Sequence, residues 1–365
     1  MKYNATTWPF TESPWTVTLT CNLLKVEWTE INDALCIIST LVGFISAYIL
    51  PLVISTSVPI YTTLIVVQVM NATTKRSSIY YTGLLVAVVM MYIVFGVFTY
   101  FLPKGLSYTT NGEAYFFVYY HSQISCQIYR FSQAFSSTLF SNIFLGSAID
   151  RTLTVYKPVL YANLPNKYAR IFLAVIFIVT FTMALPFFIL AGLIDIGDKI
   201  HCWFESKSEY LLFFRAFCSH LAPIQLILAT LINLAFFRRI LRSTKQDSSN
   251  KPANDADRTK IKGSLFLVIN SSTFLIFGLP GSIFDTIKNA HMLGLINVNV
   301  DLYQNLFDLI WSIFLCRSTF DLLVGFFYFK PEKDMFASVF RKFTEFIRSV
   351  IKCLFKRGVH TVAPN

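Results

Sequence analysis

Seven stretches of this chain are apolar and separated by short polar breaks. They cover residues 37–70, 79–102, 122–150, 169–193, 209–237, 262–289 and 302–329. Each reaches the roughly 20 residues a helix needs to cross a hydrocarbon core. The pattern predicts an all-α membrane protein, a seven-transmembrane helix bundle over residues 37–329, with the termini on opposite sides. The first run is long for one crossing, and Pro51 and Pro59 inside it predict a kink. Ser243 to Asp257 is polar and reads as a flexible loop. Beyond the seventh run, Pro331 suits the first turn of a new helix. Phe336, Phe340, Phe343, Ile347 and Ile351 then recur at helical spacing, with Arg341, Lys342, Arg348 and Lys352 mostly off that stripe. Residues 330–356 therefore predict an amphipathic helix on the membrane surface, followed by a tail at 357–365.

Composition agrees with the pattern. The chain is 55% hydrophobic and 14% charged, with 37 Phe, well below the quarter charged of soluble domains. Most of the 31 basic residues follow the first, third, fifth and seventh runs. The positive-inside rule makes that side cytoplasmic and places the N-terminal segment, 1–36, outside, in the plasma membrane. The net charge of +11 is thus a topology signal and an attraction to anionic lipid, not a sign of nucleic-acid binding. No basic segment with an apolar run and a cleavage site opens the chain, so the first apolar helix is expected to act as signal anchor. Asn4-Ala5-Thr6 is a glycosylation acceptor on the outer side.

The chemistry-bearing residues exclude several classes. Seven cysteines contain no CxxC pair, and five histidines form no cluster, so no metal site is expected. No Gly-rich phosphate loop or nucleophile constellation appears, which argues against an enzyme and against a cofactor. No internal repeat supports a transporter. Cys353 is either a palmitoylation site or a free thiol.

One motif stands out. Asp150 and Arg151 sit side by side at the inner end of the third run, in Ala148-Ile149-Asp150-Arg151-Thr152, with Pro158 after them. Cys126 precedes Arg151 by one helix length, and Cys202 lies in the loop after the fourth run. Pro186, Pro223 and Pro280 fall in the fourth, fifth and sixth runs, and Phe274 stands six before Pro280. With seven runs and an outer N-terminus, this set resembles the rhodopsin-like G-protein-coupled receptors, as a divergent, invertebrate-type member. The resemblance implies a Cys126–Cys202 disulfide. It also implies that Asp150 and Arg151, with Thr152, Pro158, Phe274, Pro280 and Asp321, form the activation switch that meets a heterotrimeric G protein. The alternative for Asp150 and Arg151 is a static ion pair at a helix end.

The chain departs from the family at Thr152, where a tyrosine is usual, and at Gly278, where the sixth helix carries tryptophan. Leu231 and Gly325 stand where tyrosines brace the active state. Arg317 and Asp321 lie four apart in the seventh run, one helix face, and read as an intramembrane ion pair. Resemblance further implies a ligand cavity among the third, fifth, sixth and seventh helices. Its polar candidates are Arg130, Gln133, Arg215, Asp285, Lys288, Tyr303 and Asp308, with Trp311 as an aromatic wall. Charges of both signs suit a peptide ligand, and Arg130 and Arg215 would take an anionic group such as a peptide carboxylate. A small polar chemosensory ligand is the alternative. A seven-helix transporter and a non-signalling decoy are the remaining ones.

Overall fold

A computed structural model describes residues 8–10, 12–70, 76–157, 165–196, 199–204, 209–248, 255–292 and 295–328, with 341, 344, 345 and 348. Asn4, Pro158 and Cys353 lie outside the described residues. Of the predicted C-terminal helix, only Arg341, Thr344, Glu345 and Arg348 are described, and all four are helical.

A short helix, α1 (Thr16–Val26), precedes the first long one. Thr29 caps the latter by accepting the Asn32 N–H at 3.1 Å, satisfying a donor the helix cannot. That helix runs as α2 (Glu30–Phe44), a wide π-type turn at Ile45–Ile49, and α3 (Leu50–Met70). The wide turn sits just ahead of Pro51. A proline there has no N–H to give and its ring crowds the preceding turn, and slackening the helix by one residue relieves both. The chain continues helical through Pro59.

The second long helix has the same construction: α4 (Arg76–Met91), a π stretch at Tyr92–Gly105, and α5 (Leu106–Thr109). At Gly105 a Cβ would meet the carbonyl of Ser46. Two small residues thus let the two π regions approach backbone to backbone. The Asn111-Gly112 turn that follows takes positive φ at both residues, 51° and 85°, as an Asn-Gly pair tolerates. Trp15 packs against its Gly112 face.

The remaining helices are α6 (Gln123–Tyr156), α7 (Asn166–Leu190), α8 (Glu209–Ser248), α9 (Asp255–Met292) and α10 (Val300–Tyr328). Helices α8 and α9 extend into the segment expected to be a loop, leaving only 249–254 between them. One feature departs from an all-α fold. The fourth apolar run was expected to stay helical to 193, but it ends at Leu190. Ala191–Ile196 (β1) pairs antiparallel with Lys199–Phe204 (β2). The Gln123 side chain accepts the Leu193 N–H at 2.7 Å, holding the hairpin over the start of α6.

Packing closes a ring. The α2–α3 helix meets α4, α4 meets α6, α6 meets α7 and α8, α8 meets α9, α9 meets α10, and α10 returns to α2 and α3. Helix α6 packs on α4, α7 and α8 and meets β1 at its start. Its Phe135, Leu139, Phe140, Ile143 and Phe144 form a core with Met91, Ile176, Leu226 and Phe274. The polarity is inverted relative to a soluble protein. Ser46, Ser57, Ser136 and Thr180 are fully buried, while Ile178 and Leu231 are 63% and 57% exposed. Among the described residues, Glu30–Val69, Ile79–Thr109, Asn166–Leu190 and Ile224–Arg242 are long and apolar enough to cross a membrane. An apolar outside and a hydroxyl-bearing inside suit a chain solvated by lipid.

Candidate functional site

The N-terminus of α6 is fixed by a reciprocal capping box between Ser122 and Ser125, at 3.1 and 2.9 Å. One turn on, Cys126 is fully buried and bonded to Cys202 of β2, with Cα atoms 5.6 Å apart. The expected disulfide is therefore present. A second one was not expected: Cys21, read as unpaired, is joined to Cys36 with Cα atoms 4.9 Å apart. It staples α1 to the first half of α2.

Between these two cross-links the chain lays a strap over the ring. The Ile200 N–H of β2 donates to the Pro9 carbonyl at 2.7 Å, and Phe10 stacks on Tyr120 at 4.3 Å. Tyr119 donates its hydroxyl to Glu12, and Ser107 donates to the Pro14 carbonyl. Burial, then the adjacent carboxylate, pushes the Tyr119 phenol well above its usual value, so it stays a donor. Trp8 and Trp15 pack edge-on against each other and against Tyr115, and Trp8 meets Phe117 at a tilt.

Under the strap is a cavity of about 740 Å³, within the range of ligand sites. Four of the predicted residues line it: Arg130, Gln133, Asp308 and Trp311. Tyr303 does not; its ring faces Phe284 at 5.9 Å. The side chains of Arg215, Asp285 and Lys288 lie outside the described residues.

Helix α6 contributes a stripe of Arg130, Gln133, Ala134, Ser137, Phe140 and Ser141, at the three-and-four spacing of one helix face. Arg130 donates through Nε and Nη2 to the Cys202 carbonyl at 3.1 and 2.6 Å, and through Nη1 to Gln133 at 3.1 Å. Trp203 lies over its guanidinium at 4.8 Å. Gln133 donates in turn to the Tyr129 hydroxyl at 2.8 Å, which shares a 2.7 Å bond with Thr99.

Asp308 proves to be already occupied. Lys104 reaches its Oδ2 at 2.5 Å, and Tyr100 and Gln304 reach Oδ1 at 3.4 and 3.3 Å. Sequence reasoning missed Lys104, although a lone cation in Phe101-Leu102-Pro103-Lys104-Gly105 is a signal: it needs a partner at that depth. The pair ties α10 to the second helix across the cavity wall.

The floor is aromatic. Phe95 stacks on Trp311 at 5.0 Å, and Trp311 meets Phe314 edge-on at 5.1 Å. Gly278 and Gly281 of α9 line the same floor. A Cβ at Gly278 would meet Phe314, and one at Gly281 would meet Ile310 and Trp311. The volume that a tryptophan at 278 would take is filled from the neighbouring helix instead.

Below the floor, Phe274 packs on Phe140, Phe144 and Phe314. The buried Arg317 lies over the Phe274 ring and donates to Thr273 at 3.3 Å. The Asp321 side chain is outside the described residues, so its expected pairing with Arg317 lies there too. Pro280 sits within α9, which continues helical through it. At the far end of α6, Asp150 is buried and its carboxylate acts on the adjacent Arg151 guanidinium. Thr152 donates to the Ala148 carbonyl at 2.9 Å, a local bond that braces no other helix. Among the described residues no group of His, Cys, Asp and Glu could hold a metal. No family model matches the chain, and no curated protein matches it.

Proposed function

We propose that this chain is a seven-span receptor of the G-protein-coupled type, which transduces a ligand on its strap side to a heterotrimeric G protein on the Asp150 side. The single observation that carries the reading is the layout of α6. Arg130 in the cavity and Arg151 at the other end stand on one helix, about 31 Å apart along its axis. That is the thickness of a bilayer's hydrocarbon core, about 30 Å. A cavity at one face and a buried acid–arginine pair at the other are what a transmembrane relay requires. The closed ring of helices to which α6 belongs, and the Cys126–Cys202 cross-link beside the cavity, support the same reading.

On this reading the strap side is extracellular, the protein sits in the plasma membrane, and Arg151 is released from Asp150 on activation. The test is G-protein recruitment in cells by the wild type and by Arg151→Ala at matched surface display, each challenged with pooled peptides and small metabolites. A wild-type response that the substitution removes supports the reading. A response of equal size in both removes Arg151 from the relay.

A further inference from the structure

We infer that the cavity takes an elongated amphipathic acid: one terminal carboxylate on an apolar body. The inference rests on reading this cavity as the ligand site, and it narrows the mixed-charge ligand expected from sequence.

The charges on the cavity wall do not count equally. Lys104 and Asp308 neutralise each other at 2.5 Å, and the remaining acceptor capacity of Asp308 is taken by Tyr100 and Gln304. Asp301 is exposed at the rim, where water screens it, and the Glu12 carboxylate is engaged by the Tyr119 hydroxyl. Arg130 differs. It is partly buried, and its partners are a carbonyl and an amide oxygen, neither of which carries charge. No carboxylate pairs with it among the described residues. Two of its five N–H groups have no bond to a described residue. A half-buried cation without a counter-ion selects an anion, and the planar fork suits a carboxylate.

Beneath Arg130 the polarity falls away. The stripe from Arg130 to Ser141 is about 16 Å long at 1.5 Å per residue. It descends past Gln133 and Ser137 to a floor of Phe140, Phe95, Trp311 and Phe314. Backbone at Gly278 and Gly281 keeps that floor flat. A ligand that satisfies both ends has its charge at the top and an apolar or aromatic body below. Two sources share this chemistry, a free organic acid and the C-terminal residues of a peptide.

The experiment uses the purified full chain in lipid nanodiscs, with no G protein present. Binding is read by tryptophan quenching, since Trp203 and Trp311 line the cavity, and by the shift in unfolding temperature. One arm presents aryl-alkanoic and C8–C12 alkanoic acids, each beside its primary amide. The other presents tetrapeptides ending in Phe or Leu, with free or amidated C-termini. The expected result is that the best acids bind about tenfold or more tighter than their own amides, the worth of one charge-assisted hydrogen bond. Arg130→Gln erases that gap while leaving the amide's affinity in place, which shows that the cavity is intact. Arg130→Lys keeps part of the gap. The arm that responds identifies the source.

Equal binding of acid and amide by the wild type overturns the inference. So does an acid preference that survives Arg130→Gln, or the absence of binding in both arms. Acid-selective binding without G-protein recruitment would leave this inference standing and remove the signalling reading. Recruitment by a neutral ligand, unaffected by Arg130→Gln, would do the reverse.

Discussion

The two ends of α6 are built on opposite plans. Around Arg130 the helix is cross-linked by Cys126–Cys202, capped by Ser122, bonded to β2 and covered by a strap that is itself stapled through Cys21–Cys36. Around Arg151 the described contacts are slighter: an acid beside a base, a hydroxyl bonded within its own helix, and Arg239 over the Tyr156 ring at 5.7 Å. Covalent and directional contacts make one end stiff. At the other the described contacts are packing, hydrogen bonds and charges, which a partner can compete for. On the proposed reading, rigidity at the cavity end with give at the Asp150 end is the division of labour that lets a small change at one site alter the other.

The contrast breaks most easily at its covalent part. Cys126→Ser opens a link spanning 76 residues, and Cys21→Ser one spanning 15. Loop-closure entropy ranks them at up to about 4 and about 3 kcal/mol. The first substitution should abolish surface display, and the second should lower it; surface labelling of tagged protein checks both.

Next comes the ion pair across the cavity wall. Asp308→Asn leaves Lys104 without its counter-charge, and removing one partner of a buried pair costs about 3–5 kcal/mol. The double substitution Lys104→Met with Asp308→Leu should recover most of the unfolding temperature. If the single and double variants fall equally, the pair is not what holds α10 to the second helix.

At the opposite end the expectation reverses. Asp150→Asn should shift the unfolding temperature less than either change above, yet alter basal G-protein recruitment several-fold. A large loss of stability with unchanged recruitment would make Asp150–Arg151 a structural anchor.

The smallest effect is a pH dependence of the stiff end. Burial lowers the His201 pKa, and Arg130 and Lys199 add to this while Glu12 opposes it. A base held below its unfolded value of about 6.5 contributes stability that is present above that value and lost as pH falls through the lower folded one. The protection of amides in β1 and β2, measured against the unstructured chain's exchange at the same pH, should therefore fall as the solution is acidified below about pH 6. His201→Gln should flatten the response.

Much of this architecture was legible in the sequence, and the reasons differ by element. Long apolar runs specify helices because lipid leaves the backbone no other way to satisfy its hydrogen bonds. The Asp150–Arg151 pair and Cys126 carried their own positions through spacing along one helix. The hairpin was not legible, because Ala191 and Leu193 continue the apolar run of α7 and only the Gln123 side chain marks the change. Helix α1 is too short to read as a span, and its Cys21 had no partner that spacing alone could name. The partner of Lys104 lies 204 residues away, and no local pattern encodes a contact of that separation. Asp308 lines the cavity as expected, and it was its bond to Lys104 that the sequence left unread.

The strap also sets a clock. A lid that closes over an occupied and an empty cavity alike leaves affinity unchanged while slowing both entry and escape. With Phe10 stacked on Tyr120 and Glu12 held by Tyr119, each passage waits for those contacts to open. On the proposed reading, residence time rather than equilibrium occupancy is the quantity that Pro9, Phe10 and Glu12 control.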